Sequence, residues 1–380
     1  MRPPKGIRTW IEIDRAAIAK NVRLFRSLIP KTTKLAAVVK SNAYGHYLVD
    51  FAKEAEKLGV DFLAVDSFTE GMRLRKEGVR APILVLAHTL PENLAEAARR
   101  NIDLSISSMP QLHYLERTHF YTPLSIHLKV DTGMHRQGFT LADMPQVLKF
   151  LERVRGRKDL RVVGLFTHFA GAKGKRNKLY TNHQIREFKK WIVAFHKAGY
   201  QPLVHAAASG GTLLFPESHF DMVRIGIGLY GIWPSEEAES QLGKKIQLAP
   251  VLSWRTVISE TKDLPAGARI GYDGTEILKQ KRRVAVCPIG YWHGYPRAHS
   301  SKGYVLVRGK RARVLGRVSM DMISIDITGI RGTKAGDVVT IVGKDGSERL
   351  RAEEVGTEAP GSSAYEFVTR LNPLIKRIFV

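Results

Sequence analysis

A lysine, a histidine, a serine and an arginine each follow a short apolar run: Lys40 after 35–39, His168 after 162–167, Ser209 after 203–208 and Arg224 after 222–223. Lys129 lies within another such run, 125–130, and Arg136 follows it closely. An amine, an imidazole, a hydroxyl and guanidinium groups brought together could hold an anionic cofactor and move protons. Singly, each has an ordinary reading. Lys40 could be a surface lysine, His168 a satisfied core histidine, Ser209 a helix cap and Arg224 one half of a buried salt bridge. Their shared position after apolar runs raises all of them together.

The elements that must place these residues form a repeat. Runs at 35–39, 62–65, 83–87, 104–106, 125–130, 162–167, 203–208 and 222–223 give eight candidate strands. Helical stretches lie between several of them. Asp14 can cap a helix over 15–28 with Pro30 as its stop, 47–58 closes on Gly59, and 68–77 closes on Gly78. Pro91 can open 91–100, and 145–155 and 182–197 carry apolar residues at helical spacing. Continuously apolar strands alternating with helices point to a parallel sheet covered on both faces, here a TIM-type (β/α)₈ barrel over residues 1–240. In such barrels the carboxyl ends of the strands carry the chemistry, so Lys40, His168, Ser209 and Arg224 should converge on one mouth.

From about residue 240 the pattern changes. Runs at 252–259, 284–288, 303–308, 312–315, 322–327 and 337–342 read as short strands divided by turns, with no long amphipathic helix. This predicts a mainly antiparallel β domain over 241–380, reached through a polar linker in 233–248. Residues 9–13 alternate like a strand and could pair with that second domain.

Composition narrows the class. The 44% hydrophobic content suits a globular protein, and no apolar run approaches the roughly 18 residues needed to span a bilayer. The first residues show no apolar signal region, and the single cysteine, Cys287, fits a reducing, cytoplasmic setting. The chain carries 60 Lys and Arg against 36 Asp and Glu, a net +24. A nucleic-acid binder is one explanation. The basic clusters at 173–178, 279–283 and 308–317 are scattered and lack interleaved aromatics, so a basic solvated surface is preferred.

The motifs are more specific. VVKSNAYGH at 38–46 resembles the cofactor-lysine signature of the alanine racemases, a pyridoxal-phosphate family built as a barrel plus a β domain. The resemblance continues through LKVDTGMHR at 128–136, THF at 167–169, VRIGIGLYG at 223–231, Gly271-Tyr272, RVSMD at 317–321 and Ala364-Tyr365-Glu366. It implies that Lys40 holds pyridoxal 5'-phosphate as a Schiff base and is one of two bases. Tyr272, reaching in from the other subunit of a homodimer, is implied as the second. A base on each side allows a proton to leave one face of the α-carbon and return to the other. Free lysine and tyrosine titrate near 10.4 and 10, so a cation-rich mouth must favour their deprotonated forms.

Further roles are implied in the same way. Arg224 matches the arginine facing the pyridine nitrogen, and the amides of Gly226 and Ile227 match phosphate donors. Tyr44, Ser209 and Tyr365 match side-chain phosphate ligands. Arg136 matches the residue contacting cofactor and substrate carboxylate, and Lys129 the lysine carbamylated in many members to hold that arginine. Met320, from the partner subunit, matches a substrate contact, although a core methionine is the plain alternative. His168 would orient Tyr272 by hydrogen bonding.

The implied reaction is interconversion of L- and D-alanine, supplying D-alanine for cell-wall peptidoglycan. Departures lie near the entrance: His135, Ala208, Ser319, Trp292-His293 and the basic loop 173–178 differ from the usual pattern. They keep open a broader racemase accepting serine or basic amino acids. A pyridoxal-phosphate decarboxylase, a noncatalytic cofactor carrier and a nucleic-acid binder remain as rivals. No specific nucleic acid, membrane or metal is expected as a partner.

Overall fold

The computed structural model describes residues 3–357 and 362–380. The chain forms two units, one of residues 18–43 and 48–249, the other of 1–17, 44–47 and 250–380.

The first unit is a closed barrel of eight parallel strands: Lys34–Val38, Phe62–Val65, Ile83–Val85, Ile102–Ile106, Leu124–Lys129, Leu160–Phe166, Leu203–Ala208 and Met222–Ile225. Closure comes from pairing of the first with the last, Leu35 opposite Val223. The strands are short and apolar because both faces are covered, and Leu124–Lys129 is buried at all six positions. The eight strands expected from sequence are the eight observed. The last, read as ending at Val223, runs to Ile225, so Arg224 sits inside the strand.

Helices differ more from expectation. Lys178–Lys197 starts four residues before the predicted 182. Met109–Arg117, not anticipated, has Pro110 in its first turn, where a missing N–H costs nothing. Among the described residues no helix is long and apolar enough to cross a membrane.

The second unit is a mainly antiparallel sheet. Its order runs Glu260–Leu264, Arg282–Cys287, Ile323–Asp326, Lys310–Leu315, Tyr304–Val307, Val338–Asp345, Leu252–Val257, Thr9–Ile13 and Lys376–Phe379. Thr9–Ile13 pairs antiparallel with Leu252–Val257, Ile11 opposite Trp254, and parallel with Lys376–Phe379. Trp10, Ile11 and Trp254 are fully buried in this unit. Two short helices, Ala352–Gly356 and Ala364–Thr369, were not expected here. Ser363 caps the second, its hydroxyl accepting from the Glu366 amide, and that helix carries Tyr365.

Segment 44–47 belongs to this second unit although the barrel surrounds it in sequence. The Arg377 guanidinium donates to the Gly45 carbonyl at 3.1 Å. A Cβ on Gly45, whose φ is +81°, would lie 1.9 Å from the Val368 carbonyl oxygen, so only glycine fits.

Candidate active site

The chain leaves the first barrel strand through an unusual turn. Ser41, Asn42, Ala43 and Tyr44 all have φ between +50° and +56°, a left-handed stretch costing L-residues roughly 1 kcal/mol or more apiece. Neighbours hold it in place. Glu70 Oε1 accepts from the Ser41 amide at 2.7 Å while its Oε2 accepts from the Asp66 amide at 2.8 Å. Asn42 Oδ1 accepts from the Leu48 amide. The turn follows Lys40 directly, whose amine lies 2.8 Å from Asp66 Oδ1.

Next to it stands a group of cations. Lys129 ends its strand, is 6% exposed, and donates to Gln137 Oε1 at 2.9 Å. Burial first, then the charges of Arg136, Arg224 and Lys40, push its amine down to about 8, against the opposing pull of Asp131. Arg136 is exposed. Lys129 and Arg224 both sit over the Phe166 ring, at 5.6 and 5.3 Å from its centroid.

Arg224 is buried. One of its terminal nitrogens, Nη2, donates to the carbonyls of Thr167 and Ala206 at 2.8 and 2.9 Å, and lies 3.3 Å from His168 Nδ1. The other, Nη1, lies 2.7 Å from His205 Nδ1. Burial pushes Arg224 down to about 9. Desolvation, followed by the charges of Arg224, Arg136, Lys129 and Lys40, pushes His168 down to about 3 and keeps it neutral.

Ser209 completes the barrel group. Its hydroxyl is buried and accepts from the amides of Gly226 and Gly228 at 3.1 and 3.2 Å. Ile227, between them, is also buried. A Cβ on Gly228 would strike Phe25 Cζ at 2.4 Å, so the backbone approach depends on glycine.

The second unit holds the remaining candidates. Tyr44 and Tyr365 rings lie 6.3 Å apart, and burial, with Tyr44 adding to it, pushes the Tyr365 phenol well above its usual range. Tyr365 is therefore a lasting hydroxyl donor. Tyr272 is 70% exposed, in a turn with Gly271 and Asp273 at positive φ, where Arg317 pairs with Asp273. Met320 is 54% exposed. The unusual Trp292-His293 segment rests on the equally unusual Ser319 and on its neighbour Met320: the Tyr291 and Trp292 amides donate to the carbonyls of Ser319 and Met320.

The structure thus brings Lys40, Lys129, His168 and Arg224 together, with Arg136 in electrostatic range. Sequence reasoning missed Asp66, Glu70, Gln137 and His205. Of these, His205 had a readable signal, a histidine within the apolar strand Leu203–Ala208.

Two domain models of one family match the chain in succession. Residues 13–234 match the alanine racemase N-terminal domain, and residues 251–379 match the alanine racemase C-terminal domain. The chain belongs to the alanine racemase family. It is 35% identical over 378 residues to the alanine racemase of Leptospira interrogans serogroup Icterohaemorrhagiae serovar Lai, covering 98% of this chain and 96% of that one. With alanine racemase 2 of Bacillus subtilis it shares 38% over 377 residues, covering 98% and 94%. The crystal structure of alanine racemase from Bacillus anthracis with bound L-Ala-P superposes with a TM-score of 0.91 at 33% identity, covering 100% of this chain and 96% of the other. The structure from E. faecalis gives 0.91 at 31%. The family consists of isomerases known to use pyridoxal phosphate. Broader-specificity, decarboxylase and nucleic-acid readings find no support in these relatives.

Proposed function

We propose that this chain interconverts L- and D-alanine with pyridoxal phosphate held at the barrel mouth, as a homodimer acting in the cytoplasm. The observation that carries the cofactor reading is the donor set itself. Lys40, Arg136 and Arg224 are close enough for their charges to act on Lys129 and on His168. Beside them the buried Ser209 hydroxyl and the backbone of Gly226, Ile227 and Gly228 form a close-packed cradle. Cations in excess of nearby carboxylates suit a group carrying a phosphate and a phenolate oxygen.

In this reading Lys40 would leave Asp66 and hold the cofactor through its amine, which the substrate's amine would displace. Ser209, Tyr44, Tyr365 and the amides of Gly226 and Ile227 hold the phosphate. Arg224 would hold the cofactor on the side of its pyridine nitrogen, where a fixed positive charge would disfavour protonation. Pyridoxal phosphate, when bound, supplies the electron sink that lets an α-proton leave. Once displaced, the free amine of Lys40 and the phenol of the partner subunit's Tyr272 would take and return that proton at opposite faces. Exposure of Tyr272 and Met320 on the second unit is in keeping with their service to another subunit. Arg136 binds the substrate carboxylate with a guanidinium fork, and a carbamylated Lys129 steadies it.

His168 supports Tyr272. Because arginine can only donate, the Nδ1 of His168 accepts from Arg224, which leaves its proton on Nε2 to offer to a phenol oxygen.

The test is chiral chromatography after incubating single enantiomers of alanine, serine and lysine with protein, with and without added pyridoxal phosphate. Cofactor-dependent conversion of alanine in both directions is expected. Failure to form D-alanine from L-alanine with cofactor present contradicts the reading.

A further inference from the structure

We propose that Asp103, His127 and His205 form a one-way hydrogen-bond chain through the barrel interior that fixes the orientation of the Arg224 guanidinium. These are positioning residues, and the idea rests on the role given above to Arg224.

The chain is continuous. Arg224 Nη1 lies 2.7 Å from His205 Nδ1, His205 Nε2 lies 2.9 Å from His127 Nδ1, and His127 Nε2 lies 3.4 Å from Asp103 Oδ2. Both imidazoles are 0% exposed and Arg224 is 3% exposed. The four side chains come from four different barrel strands, Ile102–Ile106, Leu124–Lys129, Leu203–Ala208 and Met222–Ile225.

The donor order has a single solution. A guanidinium has hydrogens to give and no lone pair to receive one. His205 must therefore accept at Nδ1 and, being neutral, carry its proton on Nε2. That proton goes to His127 Nδ1, so His127 carries its own on Nε2 and offers it to Asp103, an acceptor at both oxygens. Reversing either imidazole breaks two hydrogen bonds in a dry interior. Desolvation, the charge of Arg224 and that of His127 all oppose a positive His205, in line with this assignment.

Packing shows that the chain is built rather than incidental. A Cβ on Gly164 would lie 1.9 Å from His127 Nδ1 and 2.4 Å from its Cε1, so the glycine within strand Leu160–Phe166 provides the space for that ring. The Phe166 ring stacks on His205 at 4.8 Å with 5° between planes, and Phe62 meets His127 edge-on. Nη2 of Arg224 already has carbonyl partners, whereas Nη1 has His205. Removing the chain frees the guanidinium to turn about its remaining bonds.

Two readouts test this. In cofactor-free protein carrying ¹⁵N-histidine, long-range ¹H–¹⁵N spectra should show His127 and His205 both neutral and protonated on Nε2. In Asp103→Leu the His127 Nε2 proton loses its acceptor, so its ¹H and ¹⁵N signals should shift while both histidines keep their tautomers. In the racemisation assay with cofactor, Asp103→Leu should lower kcat about tenfold with KM little changed, the loss of one part-buried charge-assisted bond. Asp103→Asn, which keeps an acceptor oxygen, should recover most of that loss. A His205 proton on Nδ1 in the native protein overturns the proposal, as does an Asp103→Leu variant that leaves the His127 Nε2 signals and kcat unchanged. If the native protein fails to racemise alanine, the functional reading falls, while the spectra still decide the chain.

Discussion

The amine of Lys40 and the carboxylate of Asp66 are paired at 2.8 Å, with side chains 36% and 48% exposed. A pair so open to water contributes less than about 1 kcal/mol, which lets the lysine leave for another partner. Asp66→Asn should therefore shift the urea midpoint of the cofactor-free protein only slightly, and the variant should still racemise alanine. A large loss of stability would show that this pair is structural.

Gly228 marks the narrowest part of the cradle. In Gly228→Ala the new methyl meets Phe25 at 2.4 Å and lies 3.4 Å from Ser209 Oγ. Overpacking of this kind costs about 1–3 kcal/mol. Denaturant unfolding should show that loss, and equilibrium dialysis should show weaker retention of pyridoxal phosphate. An alanine variant with native retention would move the phosphate away from this backbone.

Lys129, with its amine at about 8, is substantially free base in mildly alkaline buffer. Carbamylation needs that form. Native mass spectrometry from bicarbonate buffer should show one added carbon dioxide, absent in Lys129→Ala. An unmodified native mass would mean that Lys129 acts as plain lysine through Gln137.

His168 ties stability to pH. Its folded value, about 3, lies below its ordinary 6.5. As pH falls through that window the unfolded chain takes up a proton that the folded chain refuses, so stability declines. Each such group contributes a slope of up to about 1.4 kcal/mol per pH unit. In His168→Asn, stability measured from pH 7 down to pH 4 should fall less steeply than in the native protein. Equal slopes would show that His168 is protonated in the fold.

Much of the barrel was legible because its strands are unbroken apolar runs that stop at polar residues, as 35–39 does before Lys40. Residues 260–264, ETKDL, and 376–379, KRIF, were missed because edge strands carry charge and lack an apolar alternation. The left-handed turn at 41–44 was invisible for a different reason. None of Ser41, Ala43 or Tyr44 favours positive φ, and what holds the turn is Glu70, about 30 positions away in sequence. Asp66 ends the apolar run 62–65 and His205 stands inside an apolar strand, but only closure of the barrel gives them their partners. The lysine and arginine of the mouth were readable from strand ends alone, whereas Tyr272, Met320 and Tyr365 entered through family resemblance.

The central claim is that Lys40 and Tyr272 serve opposite faces of one substrate. It is tested most directly by following exchange of the α-proton into deuterated water from L-alanine and from D-alanine separately, in the native protein and in Tyr272→Phe. Loss of one base should slow exchange from one enantiomer by about 100-fold or more while the other continues through Lys40. Equal slowing from both enantiomers, or none from either, would contradict the account.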